Sequence, residues 1–119
     1  MDGAGGAGRL TLTYLRFGAL RGRQPVVIVQ DDVFDATQSI TVCAFTTDET
    51  EAPLFRVLVE PSEHNGLRSP SRLMADKITT VAKSKLGSPV GRLDDADIVR
   101  LNQAIMVFLG LTVSPKARS

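Results

Sequence analysis

Gln24-Pro25-Val26-Val27-Ile28-Val29-Gln30-Asp31-Asp32, followed at residues 39–46 by Ser-Ile-Thr-Val-Cys-Ala-Phe-Thr, decides the fold. The run 26–29 has β-branched side chains throughout and no polar position, so neither of its faces suits water. Bounded by Pro25 and by Gln30-Asp31-Asp32, it reads as a short strand buried on both sides. The second stretch alternates Ile40, Val42 and Ala44 against Thr41, Cys43 and Phe45, then ends in the polar turn Thr47-Asp48-Glu49, which marks another strand. Upstream, Leu10, Leu12 and Tyr14 alternate with Thr11 and Thr13, a period-2 pattern of β-formers that predicts a first strand. Between the two, residues 16–24 are basic and carry Gly18 and Gly22, the composition of a solvent-facing loop.

Downstream, Pro53 opens and Pro61 closes an apolar strand over residues 54–59. His64-Asn65-Gly66 then supplies the residues most tolerant of positive φ, hence a tight turn. Over residues 72–81, Leu73, Met74, Ile78 and Val81 predict short strands on either side of the polar pair Asp76-Lys77. Asp94 or Asp95 reads as a helix N-cap, with further carboxylates in the first turn where the exposed N–H groups favour them. Ile98, Leu101, Ile105 and Phe108 recur at three- and four-residue steps, an apolar helical stripe, and Gly110 is placed to end the helix. Residues 1–8 (MDGAGGAG) read as a flexible tail and 112–119 as a polar one, leaving one domain over residues 9–111. Several short strands followed by one terminal helix predict a small antiparallel barrel or sandwich, mainly β, with a helical cover.

The chain has 119 residues, 43% of them hydrophobic, which suits a single packed core. Its formal net charge of +1 conceals an uneven distribution. Arg9, Arg16, Arg21 and Arg23 make the first segment basic, and Arg68, Arg72, Lys77, Lys83, Lys85 and Arg92 do the same later. Between them lie Asp31, Asp32, Asp35, Asp48, Glu49, Glu51, Glu60 and Glu63, with Arg56 as the only cation among them. Cys43 is the only cysteine, so no intramolecular disulfide forms, and its apolar setting predicts a buried, inert thiol in a reducing compartment. The first residues lack the basic and apolar regions of a secretory signal, and no run approaches the ~20 apolar residues of a membrane span. A soluble cytoplasmic protein is expected.

The chemistry open to the chain is narrow. With His64 the only histidine and Cys43 the only cysteine, neither a zinc cluster nor a two-histidine acid/base pair can be assembled within one chain. No G-x-x-x-x-G-K-[ST] loop is present for nucleotide phosphates. Asp94, Asp95 and Asp97 stand at the start of an amphipathic stripe, where helix capping accounts for them better than a metal does. His64 reads as an exposed turn residue. No metal or cofactor is expected, and hydroxyls and cations are left to carry any activity.

The stretch 24–32 with residues 40–47 (ITVCAFTT) resembles the MazF/PemK toxin family. The resemblance continues through 61–67 (PSEHNGL), 74–81 (MADKITTV), Ser84-Lys85-Leu86-Gly87, Val90-Gly91-Arg92-Leu93 and the helix end Phe108-Leu109-Gly110-Leu111, about three quarters of the chain. It implies a small SH3-like antiparallel β-barrel of the MazF/PemK/CcdB type with a C-terminal helix, usually a homodimer. It also implies a metal-independent, sequence-specific endoribonuclease that cuts single-stranded RNA by attack of a ribose 2′-hydroxyl, and an antitoxin protein that silences it. In the family, an arginine preceding the proline and the threonine that ends the second strand form the usual catalytic pair. Thr46 matches the threonine, whereas Gln24 stands where the arginine would be. A neutral amide donates hydrogen bonds but does not neutralise a phosphorane. Arg23, one residue earlier, can substitute only if the backbone there is still a loop, because a one-residue step within a strand reverses side-chain direction.

Asp76 matches an aspartate that the family often keeps near its RNA-binding face, and Lys77 beside it suits a phosphate contact. Arg16 and Arg21 in the basic loop, with Thr47 next to Thr46, complete the expected RNA contacts, and the loops 16–24 and 48–52 would read the bases. The chain departs from the family at Arg9-Leu10-Thr11, which lacks the glycine and the acid with which members commonly begin. Three readings follow from the resemblance: an active endoribonuclease, a catalytically impaired dimer that binds RNA or antitoxin, and, last, a gyrase-poisoning relative on the same barrel. The antitoxin is expected to be an acidic, partly apolar peptide that folds on the basic segments.

Overall fold

The computed structural model describes residues 9–16, 23–30, 36–48 and 55–111. Six strands and one helix follow in chain order: β1 (Thr11–Arg16), β2 (Arg23–Ile28), β3 (Ser39–Thr46), β4 (Arg56–Val59), β5 (Ser71–Ala82), β6 (Gly91–Arg92) and α1 (Asp95–Leu109). The strands form a single antiparallel sheet in the order β4-β5-β3-β2-β1-β6, curled into a half-barrel, and α1, which follows β6 in the chain, packs against β4 and β5. The two expected tails and most of the two expected RNA-reading loops lie outside the described residues.

The apolar runs divide between the two faces of the sheet because side chains alternate along a strand. Leu12, Val27, Cys43, Phe45, Leu73 and Ala75 meet Leu93, Leu101 and Ala104 in one buried cluster. Val26, Ile28, Ile40 and Val42 join Leu15 in a second cluster on the opposite face. This is the strand buried on both sides that residues 26–29 predicted: Val26, Val27 and Ile28 are all shut off from solvent. β1 has the same character, since Thr11 and Thr13 are as buried as Leu12. Thr13 satisfies its hydroxyl on the carbonyls of Gly87 and Ser88. Cys43 is fully buried, and that burial pushes its thiol pKa up to about 12, so the thiolate is suppressed as expected.

Residues 72–81 do not break into short strands. β5 is one strand of 12 residues, and the polar pair Asp76-Lys77 is accommodated by a bulge. Cys43 pairs with Ile78 and Phe45 with Leu73, so residues 74–77 of β5 face only Ala44 on β3. Across the bulge β5 stays attached to β4, through Arg56↔Met74 and the bond from Ala75 N–H to the Phe55 carbonyl. The turn after β4 is also more than a turn. Asn65 is buried, its Oδ1 accepts the N–H groups of Ser62 and Leu67, and its Nδ2 donates to the Glu60 carbonyl. Gly66 follows at φ +75°, where a Cβ would stand 2.6 Å from the Val90 carbonyl oxygen.

α1 begins and ends where its sequence places it. Asp94 occupies the N-cap, but its carboxylate contacts His64 Nδ1 rather than the helix N–H groups. Gly110 closes the helix in the left-handed region, its N–H shared between the carbonyls of Met106 and Val107. Leu101 and Ala104 are the buried anchors, with Ile98 and Ile105 packed beside them. Phe108, expected in the stripe, stays 45% exposed and touches the Phe55 ring at a centroid distance of 5.3 Å.

Candidate active site

Thr46 is the last residue of β3, and Thr47 and Asp48 after it belong to no strand. Its Oγ1 accepts the Asp48 N–H at 3.0 Å, an ST-type turn that leaves the hydroxyl proton free to donate elsewhere. Around this strand end lies an open concavity of about 250 Å³ lined by Arg23, Gln24, Pro25, Phe45, Thr46, Thr47 and Ser71. All three residues expected to be catalytic, Thr46, Arg23 and Gln24, border it, as does Thr47.

The register sorts these side chains by face. The β2–β3 ladder runs from Ile28↔Val42 to Val26↔Ala44, so Gln24 and Thr46 lie beyond its end, on the alternation that Val26 and Ala44 share. Gln24 Nε2 donates to the Phe45 carbonyl at 2.8 Å, which ties the start of β2 to the end of β3. Arg23 is already within β2, paired with Arg16 of β1. The loop backbone that would let Arg23 turn toward Thr46 is therefore not formed. Its side chain belongs to the opposite face, where the guanidinium lies 5.1 Å from the centre of the Tyr14 ring.

The expected RNA contacts scatter. Arg16 is exposed and bonds the Ser84 carbonyl, bridging β1 to the short helical turn after β5. Arg21 lies outside the described residues. Lys77 is exposed on the bulge, while Asp76 is engaged within the protein. Arg56 Nε and Nη2 donate to the two Asp76 oxygens at 2.9 and 3.2 Å, a two-pronged ion pair with both side chains about 15% exposed. Arg56 was visible in the sequence only as the lone cation of the acidic middle. Its partner is 20 residues away, beyond the reach of any local pattern.

The hydrogen bond from Arg56 holds the Asp76 carboxyl below its ordinary value, and the same bond raises the Arg56 pKa. A carboxyl whose pKa is lowered on folding contributes stability above its unfolded pKa and loses that contribution as pH falls through the folded value. Arg56→Met is accordingly expected to cost about 1–2 kcal/mol near neutral pH. That gap from the wild type should close as the pH drops below 3.8, the ordinary Asp value. Urea unfolding of both proteins across the acid range checks this, and a gap that stays constant with pH would refute it.

Comparison with known proteins places this geometry. Residues 12–109 match the family model of PemK-like, MazF-like toxins of type II toxin-antitoxin systems. A probable endoribonuclease MazF of Mycolicibacterium smegmatis is 53% identical over 95 residues, covering 79% of this chain and 87% of that protein. Among solved structures, an endoribonuclease in complex with its cognate antitoxin from a mycobacterial species superposes with a TM-score of 0.74 at 26% identity, over 90% of this chain and 98% of that one. The Mycobacterium tuberculosis toxin MazF-mt6 gives 0.72 at 25% identity, over 87% and 99%. A curled antiparallel sheet, a threonine ending β3 in a concavity and a match across nearly all described residues lead to one assignment: the chain belongs to the PemK-like, MazF-like toxins of type II toxin-antitoxin systems.

Proposed function

We propose that the protein is the toxin of a toxin-antitoxin pair and cuts single-stranded RNA at the concavity around Thr46. The observation that carries this reading is the placement of Thr46, a hydroxyl with its acceptor side occupied and its proton free, at a strand end lined by Arg23, Gln24 and Thr47. In the reaction the ribose 2′-oxygen bonds to the adjacent phosphorus and the bond to the 5′-oxygen breaks. A proton leaves the 2′-oxygen and the departing 5′-oxygen takes one up, giving a cyclic phosphate and a free 5′-hydroxyl. Thr46 donates to a non-bridging phosphate oxygen as charge builds there, and Gln24 fixes the strand end that holds it.

The neighbouring structure with its antitoxin supports the further reading that this chain is silenced by a folded-on-binding peptide. The C-terminal part of α1 exposes Met106, Val107, Phe108 and Leu109, an apolar surface that suits a second copy in a homodimer. Among the described residues no helix is long and apolar enough to cross a membrane, and a toxin that acts on mRNA is expected to work in the cytoplasm.

The test is incubation of the purified protein with a long single-stranded RNA in the presence of EDTA, with mapping of cut sites and end groups. Site-specific cuts with 5′-hydroxyl ends are expected. Intact RNA from folded protein would instead favour the impaired, binding-only dimer, for which the neutral Gln24 is the specific argument.

A further inference from the structure

We propose that Arg72 is a catalytic residue, supplying next to Thr46 the positive charge that Gln24 does not. This rests on the RNA-cleaving reading above. Phosphoryl chemistry at a threonine hydroxyl needs a cation or fixed donors facing the same phosphate, because negative charge grows on the non-bridging oxygens in the transition state. The cation must therefore share the sheet face of Thr46.

Four basic residues near the site fail that requirement. Arg23 borders the concavity, but it alternates with Gln24 along β2 and its guanidinium lies over the Tyr14 ring. Arg56 is on the right side of the alternation, but both prongs of its guanidinium are held by Asp76. Arg16 is committed to the Ser84 carbonyl, and Lys77 stands on the bulge, outside the regular ladder.

Arg72 meets it. On β5 it pairs directly with Thr46 of β3, and on its other side with Leu58 of β4. Residues directly opposite in an antiparallel pair share a face with Cβ atoms about 4.5–5.5 Å apart. Thr46, Arg72 and Leu58 thus form one row across β3, β5 and β4, with the guanidinium on one flank of Thr46 and, on the β2 side, the Gln24 amide bonded to the Phe45 carbonyl. Arg72 is half-buried and forms no ion pair among the described residues. A half-buried guanidinium with no ion pair among the described residues is open to an incoming phosphate, whose oxygens its planar fork fits. The charge that the family resemblance places on β2 has moved, in this chain, to β5.

The experiment compares cleavage of one single-stranded RNA, under saturating protein, by the wild type, Arg72→Ala, Arg72→Lys and the double variant Gln24→Arg/Arg72→Ala. Arg72→Ala is expected to slow cleavage by about 10²–10³-fold, with RNA affinity reduced less than about tenfold. Arg72→Lys should recover only part of the rate, because a point charge lacks the fork. Adding Gln24→Arg to Arg72→Ala should restore at least about tenfold, since it returns a guanidinium to the other flank of Thr46. A structural role for Arg72 predicts no such rescue, so loss without rescue would overturn the assignment. Cleavage by Arg72→Ala within about threefold of wild type would also overturn it, while leaving the RNA-cleaving reading intact. RNA left whole by the wild type itself would remove that reading, and the proposal with it. Should the alanine variant not fold by circular dichroism, Arg72→Gln takes its place under the same thresholds.

Discussion

Replacing Thr46 with valine is expected to slow RNA cleavage by about 10²–10³-fold, the range for loss of one donor to a developing oxyanion. Valine keeps the β-branched shape that suits the end of β3, so the strand and its pairing with Arg72 should persist. The change removes the acceptor of the Asp48 N–H and, with it, the proton that Thr46 offers to the phosphate. Asp48 is exposed, so its N–H can bond water instead, and the melting temperature should fall by less than about 5 °C. Activity and stability therefore separate in this variant. Single-turnover cleavage alongside a thermal melt reads both at once, and a valine variant that cuts at the wild-type rate would remove Thr46 from the chemistry.

The elements that share one local periodicity were legible from the chain. β3 spans residues 39–46 as its alternation predicts, α1 runs from the acidic turn after Asp94 to Gly110, and the buried run 26–28 lies between the two core clusters. The strand end at Thr46 was legible for the same reason, because the alternation of β3 marks its limit, whereas the role expected of Thr46 came from the family resemblance. What escaped depends on partners distant in sequence. Asp76-Lys77 looks like a break because nothing local reveals the bulge against Ala44, or the Arg56 guanidinium that receives Asp76. Asn65 looks like an exposed turn residue because the three backbone groups it satisfies appear only when the turn closes. The role argued for Arg72 is likewise a property of register. Its own segment shows one basic residue among many, whereas pairing places it beside Thr46. Arg23 shows the converse: its nearness in sequence to Gln24 suggests substitution, and the strand that begins at Arg23 turns it to the other face.

Phe45→Ala is expected to cost about 3–5 kcal/mol, the range for truncating a fully buried aromatic side chain. Phe45 is 1% exposed and packs with Cys43, Leu73 and Ala75 in the cluster that also receives α1. A domain of this size commonly has about 5–15 kcal/mol in total, so the variant should unfold at a much lower urea concentration. The slope of its transition should be unchanged, because the surface exposed on unfolding is nearly the same. The consequence for the site is separate from global unfolding. The Phe45 backbone carbonyl accepts Gln24 Nε2, and the residue borders the concavity beside Thr46. Removing the ring loosens the segment that sets both Gln24 and Thr46, so cleavage should fall at least about tenfold even at low temperature, where the variant remains folded. Phe45→Leu refills most of the volume and should cost less than about 1.5 kcal/mol while keeping most of the activity. Urea titrations and cleavage rates for the pair check the argument. Equal midpoints for Phe45→Ala and the wild type would mean that the core does not depend on this ring, and a folded Phe45→Ala with full activity would mean that the site does not depend on the core beneath it.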